Sequence, residues 1–280
     1  MQIILRRKDS VTSAVLFIYN IFREHTGKCS IPLDKLLVFM HQFDKSETAT
    51  RMGLSRMVKA GILENQRINE EVYYQLTDFG LENINLWNTG ISRFFERYKK
   101  RQQEWEGKWY AVTFLNLSRS DKEHQPLMDG LIEMGLREIN RNIWVSPYRL
   151  SREVRELAVQ YKIRYVELYG GAEYNFSSAE LLNDVFEIGM VRKRYSEFSC
   201  LMQRIIRELE GRNGDRERCL PMLFQLGWNF YDAAVSDPAL PKGLLQDWEG
   251  DRVVGAFTEM RKTLYTEVVR YVDEVLAQTT

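Results

Sequence analysis

Apolar residues near the start of the chain recur at three- and four-residue intervals. Val15, Leu16, Ile18, Tyr19 and Phe22 form one stripe, which predicts an amphipathic helix over Ser13–Glu24 closed by Gly27. A second helix is predicted from Pro32 through Leu33, Leu36, Leu37 and Met40 to the turn at residues 43–45. The stretch ETATRMGLSRMVKAG, residues 47–61, predicts a third, with Ser46 as N-cap, Met52, Leu54, Met57 and Val58 as its apolar contacts and Gly61 just past its end. Gly53 lies in mid-helix, where glycine costs about 1 kcal/mol relative to alanine, and a close approach to another helix or backbone is one reason to accept that cost. After Gly61 come a short apolar segment, a polar tip at Arg67–Glu71, a strand at Val72–Leu76 and a new helix start at Thr77. Three helices followed by a hairpin predict a winged helix-turn-helix.

Farther along, Glu82–Gln103 predicts a long connecting helix whose final run, YKKRQQ, reads as a solvated linker. From Lys108 the pattern is strand (Trp109–Phe114), helix (Gln125–Met134), strand (Leu136–Asn140), strand (Asn142–Val145), helix (Ser151–Tyr161) and strand (Arg164–Tyr169). This βαββαβ order predicts a ferredoxin-like unit. Helices are predicted over Val185–Gly211, Arg216–Ala234 and Arg252–Ala277, with DPALPKGLLQDWEG as a proline-punctuated loop pinned by its leucines and Trp248. The expected fold class is therefore α+β. Its parts are a winged helix-turn-helix DNA-binding domain (1–82), a connecting helix (83–106), a ferredoxin-like middle domain (107–178) and a mainly helical C-terminal domain for dimerisation and sensing (179–280).

Lys plus Arg number 39 against 39 Asp plus Glu, so any nucleic-acid footprint must be local. The third helix offers one. Thr48, Arg51, Ser55 and Lys59 fall along a single face with Thr50 and Arg56 at its edges. Arginine pairs with guanine, hydroxyls serve a base edge or a phosphate, and lysine neutralises backbone charge. The competing interpretation is an ordinary solvated face. Three cysteines at long spacings, Cys29, Cys200 and Cys219, argue against a disulfide framework and for a reducing cytosol. His25, Cys29 and His41 fall short of the four ligands of a structural zinc site, so no metal is expected. The apolar run Val11–Phe22 is shorter than the roughly twenty residues that cross a bilayer, which leads us to expect a cytoplasmic protein without a membrane partner. No catalytic motif is present. A metal-dependent nuclease of this βαββαβ type would need a carboxylate at the end of its first strand, where Phe114, Leu115 and Asn116 stand, and Asp121 is too far along the loop. Neither catalysis nor a cofactor is expected.

TRMGLSRMVKAGIL at residues 50–63, followed by YYQLTDFG at 73–80, resembles the N-terminal domain of PaaX-family repressors of phenylacetic acid degradation operons. WEGKWYAVTF (105–114), NIWVSP (142–147) and DPALPKGLLQDWEG (237–250) resemble the family's later signatures in the same order. The resemblance implies a repressor that binds double-stranded operator DNA as a homodimer and is released by an aryl acyl-CoA, such as phenylacetyl-CoA. By position, Arg51, Ser55 and Arg56 match the arginine, serine, arginine pattern of the family's recognition helix, and Arg67 matches its wing arginine. The wing departs from the family: Arg67 is followed by Ile68, Asn69, Glu70 and Glu71 rather than by glycine and another basic residue. Carboxylates at a wing tip are repelled by phosphate. For the effector, Trp144, Tyr195, Trp228 and Tyr231 are candidates for an apolar slot, and Arg192, Lys193, Arg194 and Arg218 for phosphate contacts. Each has a plainer interpretation as core aromatic or solvated cation. Two other function classes remain: a winged helix that docks protein rather than DNA, and the nuclease.

Overall fold

The computed structural model describes residues 8–115, 124–140, 142–173, 177–210 and 218–278. Its elements begin with α1 (Val11–Thr26), β1 (Ser30–Pro32), α2 (Leu33–His41), α3 (Glu47–Lys59), β2 (Leu63–Ile68), β3 (Glu71–Leu76) and α4 (Asp78–Arg101). There follow β4 (Trp109–Leu115), α5 (Gln125–Glu133), β5 (Arg137–Asn140), β6 (Ile143–Ser146), α6 (Ser151–Gln160) and β7 (Arg164–Gly170). A short α7 (Ser178–Glu180) runs into a π-turn at Leu181–Val185, and the chain ends in α8 (Ile188–Glu210), α9 (Cys219–Ser236) and α10 (Glu249–Ala277). The protein is mixed α/β with a helical C-terminal region. Residues 1–89, 200–230 and 254–280 form one compact unit; residues 90–199 and 231–253 form a second.

In the first unit each early helix has a physical start and stop. Ser10 Oγ accepts from Ser13 N at 3.1 Å and Gly27 closes α1 at φ 72°. Ser46 Oγ accepts from Ala49 N at 3.2 Å to cap α3, and Gly61 follows at φ 70°. The mid-helix glycine has its reason: a Cβ on Gly53 would lie 2.3 Å from Val11 Cγ1, so the Val11 side chain at the start of α1 packs directly on the α3 backbone. Strands β2 and β3 form an antiparallel hairpin with Arg67 opposite Val72. The sequence pattern missed β1, three residues that pair with β3 and complete a β1-β3-β2 sheet. Pro32 therefore ends a strand and caps α2 instead of sitting in its first turn.

The second unit is built on a four-stranded antiparallel sheet of order β5-β6-β4-β7. Alternate residues of β4, Tyr110, Val112 and Phe114, point into one core with Leu127 and Leu131 of α5 and Val154 of α6. This βαββαβ element order is the one the alternation predicts. The predicted helix start at Val185 is displaced to Ile188, because the π-turn and a positive φ of 50° at Glu187 intervene.

A larger difference lies at the end of α4. Arg101, expected in a solvated run, is fully buried. Its Nε and Nη2 each stand 2.8 Å from the Asp251 carboxylate, Nη2 also donates to Leu245 O at 2.9 Å, and Nη1 donates to Leu240 O. Two more buried arginines serve the same segment. Arg97 donates to the carbonyls of Glu133 and Asp237, and Arg137 to Ser236 O at 2.6 Å and Leu136 O at 2.8 Å. Asp237, 1% exposed, accepts from Tyr195 Oη at 2.8 Å, Trp248 Nε1 at 3.2 Å and Ala239 N at 2.7 Å. Burial pulls the Arg97 and Arg137 guanidiniums down to about 10, which still leaves both charged at neutral pH. Gly135, at φ 90°, leaves the room this needs, since a Cβ there would lie 2.9 Å from Arg97 Cδ.

Arg101→Met would keep the stem's packing but remove the donor to the carbonyls of Leu240 and Leu245 and leave Asp251 with Tyr98 alone, and each buried acceptor left without its donor costs about 1–3 kcal/mol; a urea melt of the full chain should read that loss. Burial raises the Asp251 carboxyl, but hydrogen bonds from Arg101 and Tyr98 outweigh it and hold it below its usual 3.8. Its contribution to stability is then complete above that value and disappears as pH falls through the lower, folded-state value, a dependence that Asp251→Asn should abolish. At the hairpin turn Asn69 and Glu70 both adopt positive φ, 46° and 71°, as a type I′ turn requires. Glu70→Gly should relieve the left-handed cost and raise stability by about 1 kcal/mol, measured as a higher melting midpoint.

Candidate functional site

Helix α3 turns one face into the core and the other outward. Gly53, Leu54 and Met57 are buried; Thr48, Arg51, Ser55, Arg56 and Lys59 are exposed. Thr50 differs from the expectation that it edges the open face. It is fully buried and its hydroxyl has no partner among the described residues, because Thr50, Gly53, Leu54 and Met57 share the i, i+3, i+4, i+7 stripe. Met52, 53% exposed, is on the open side instead.

The exposed side chains are not all equally available. Arg51 Nη2 stands 2.7 Å from Glu47 Oε1 one turn earlier, and its Nε donates to the same oxygen at 2.8 Å. Both side chains are more than half exposed, and such a pair contributes only about 0.3–0.5 kcal/mol. Glu47 therefore orients the guanidinium without committing it, and a phosphate or guanine edge can replace the carboxylate. Ser55, Arg56 and Lys59 continue the face toward the hairpin, whose first residue, Leu63, is four residues beyond Lys59.

The hairpin carries the opposite charge. Arg67 is exposed on β2, but Glu64, Glu70 and Glu71 are exposed on the same hairpin. Tyr73 Oη donates to Glu71 Oε2 at 2.8 Å, which lifts the phenol above its ordinary value and anchors that carboxylate at the tip. Among charged groups, this hairpin therefore presents one cation against three anions to anything that approaches α3 from its side.

The aromatic and basic residues expected to form an effector pocket do not gather in one place. Trp144 is 4% exposed and packs in the core beneath the four-stranded sheet, with no partner for its indole nitrogen among the described residues. Tyr195 is buried and committed to Asp237, with its ring edge-on to Trp248 at 5.8 Å. Arg192 pairs with Glu249 at 2.7 Å and lies over Trp248, Arg194 donates to Asp232 O and Ser236 Oγ, and Lys193 is exposed, 4.0 Å from Glu197. Tyr231 is half-buried against Gly90, where a Cβ would lie 2.9 Å from its ring, and burial pushes its phenol up to about 12. Trp228 and Arg218, by contrast, each line an opening. Trp228 borders a slot with Phe17, Trp87 and Phe224, and Arg218 borders a hollow with Lys45 and Arg204; Phe224 lines both. Sequence inspection passed over Phe17, Trp87, Phe224 and Arg204 because their spacing reads as ordinary helix faces. A signal was nevertheless present in Gly227, a mid-helix glycine.

Asn116 and Asp121, the positions that bear on metal-dependent chemistry, lie outside the described residues. Among the described residues, no group of three or more His, Cys, Asp or Glu side chains could hold a metal, and His25 Nε2 is 2.7 Å from Asp273. Also among them, no helix is long and apolar enough to cross a membrane.

Three family models match consecutive parts of the chain: PaaX-like protein over residues 10–80, the PaaX protein central Cas2-like domain over 102–182, and the PaaX-like protein C-terminal domain over 186–274. No curated protein matches the sequence. Among solved structures, the uncharacterized protein Rv0674 from Mycobacterium tuberculosis is similar at 19% identity and a TM-score of 0.57, over 96% of this chain and 99% of that one, a likeness of fold alone. With its beginning, middle and end matched in order by models of one family, the chain belongs to the PaaX family.

Proposed function

We propose that this PaaX-family regulator is a homodimeric repressor that reads operator DNA with α3. The supporting observation is the exposed row Arg51, Ser55, Arg56 and Lys59 on a helix capped at both ends and packed at Gly53 against the Val11 side chain of α1. In this proposal, residues 1–82 are a winged helix-turn-helix with α3 in the major groove and the β2–β3 hairpin as wing. Residues 83–106 connect it to a ferredoxin-like domain (107–178), and 179–280 contribute to dimerisation and sensing. Arg51 leaves Glu47 for a base edge, Ser55 and Thr48 bond base or phosphate, and Arg56 and Lys59 neutralise phosphates. The acidic wing stays off the backbone, so α3 supplies most of the affinity.

The regulated genes would be those of aromatic-acid catabolism, phenylacetate in the first instance, and release would follow binding of an aryl acyl-CoA such as phenylacetyl-CoA. A shift from mostly bound to mostly free requires about 5 kcal/mol of differential affinity between the two protein conformations.

A duplex selected by the protein from a random pool provides the test. Two phosphate-neutralising cations per protomer, Arg56 and Lys59, doubled in a dimer, should make affinity fall roughly 10²-fold between about 50 and 200 mM salt. A flat salt response would instead favour docking of another protein, for which the acidic hairpin is the motivating feature. Arg51→Ala should weaken the selected duplex by about 1–3 kcal/mol and relax preference at one position, while Lys59→Ala should lower the salt slope by about one per contact and leave preference intact. Unchanged affinity in both variants, measured by fluorescence anisotropy, would remove α3 from the interface.

A further inference from the structure

Two openings in the first unit meet at Phe224. The first is a slot of about 50 Å³ walled by Leu16 and Phe17 of α1, Ile84 and Trp87 of α4, and Trp228 of α9. Its rings face one another closely, with Trp87 and Trp228 centroids 5.2 Å apart and Phe17 and Phe224 5.1 Å apart. Gly227 opens onto it, and a Cβ there would meet nothing within 4 Å. In the middle of a helix, glycine forfeits about 1 kcal/mol relative to alanine. Here nothing packs into the room that it leaves.

The second opening, about 520 Å³, carries Lys8, Lys45, Arg204 and Arg218 against Asp9, Asp44 and Glu208. Among the described residues, none of Lys45, Arg204 and Arg218 forms an ion pair. Three cations without an ion-pair partner among the described residues, around a roomy hollow, suit an anionic group, and the aromatic slot on the other side of Phe224 suits a flat apolar one. A benzene-sized guest fits a cavity of about 150 Å³, so a ring enters this slot only as the half-buried Trp87 or Trp228 swings outward.

The position of the site matters as much as its chemistry. Residues 42–45, the turn between α2 and α3, line the hollow. Phe43 in that turn packs edge-on to Phe224 with centroids 5.6 Å apart, three residues before the Ser46 cap of α3. The slot's other wall is α1, whose Val11 side chain packs on α3 at Gly53. A guest that presses on Phe224 therefore acts on both supports of α3.

We propose that the slot and the hollow are one ligand site, for a small molecule with an aryl group at one end and a phosphate-bearing or carboxylate group at the other, and that its occupancy displaces α3 through Phe43 and α1. This rests on the ligand-released repressor proposed above. The test is calorimetric titration of the full chain with phenylacetyl-CoA, coenzyme A and phenylacetate. Gly227→Leu fills the slot from a position that has space, so it should fold as well as the parent, a point checked by a thermal melt. It should weaken phenylacetyl-CoA and phenylacetate at least tenfold and leave coenzyme A unchanged. The exposed pair Arg204→Glu and Arg218→Glu should weaken all three at least tenfold. Parent-like affinities in both variants, or no binding of any of the three ligands to the parent, would overturn the site. The selected duplex separates the two proposals. If phenylacetyl-CoA releases DNA from the parent and from both variants at the same concentration, the repressor reading stands and this site fails. If the variants lose ligand as expected but the parent holds DNA at saturating ligand, the site stands and release by this effector fails.

Discussion

Three guanidinium groups hold one peptide segment in place by its carbonyl oxygens. Arg97, Arg101 and Arg137 between them engage the carbonyls of Ser236, Asp237, Leu240 and Leu245, and the buried Asp237 carboxylate returns the charge while collecting Tyr195, Trp248 and the backbone of Ala239. The segment has two prolines, Pro238 and Pro241, and few backbone partners of its own, so without these donors its carbonyls would be buried unpaired. Tyr148 adds a further donor to Ala239 O at 2.5 Å. The geometry of the second unit follows from this network, because α4, α5, β5 and α8 each supply a member and none can shift without leaving a charge unsatisfied. It also removes Tyr195 from the residues available to a ligand.

The first unit works by sterics rather than charge. α3 is fixed by a glycine contact to α1, a serine cap and a hairpin that follows it directly, which leaves its outer row free of structural duties. Rigid support with an uncommitted outer face is what a reading helix requires. The same support makes α3 sensitive to anything that moves α1 or the turn at residues 42–45.

Much of this was legible in the residues. The caps at Ser46 and Gly61, the amphipathic stripe of α1, the hairpin after α3 and the βαββαβ order are local properties, set by capping chemistry and by periods of 3.6 and 2. The hydroxyl of Thr50 suggests the edge of the outer face, but Thr50 is buried, in the i, i+3, i+4, i+7 stripe with Gly53, Leu54 and Met57; period outweighs residue type. β1 escaped notice because three residues, Ser30–Pro32, carry no period at all and become a strand only when β3 lies beside them.

What the sequence alone determined is therefore most of the elements, their order and the outward row Arg51, Ser55, Arg56 and Lys59 of α3. Only the tertiary structure decided which charges and rings are buried. Arg101 looked like one of a run of solvated cations, yet it is enclosed by Asp251 and carbonyls some 140 to 150 residues away. Trp144 and Tyr195 looked like ligand contacts but fill cores, while Trp228, with the same expectation, lines a slot beside Phe224, which the sequence did not single out, where α1, α4 and α9 meet. Burial is a property of a residue's neighbours in space, and here the neighbours that matter come from opposite ends of the chain.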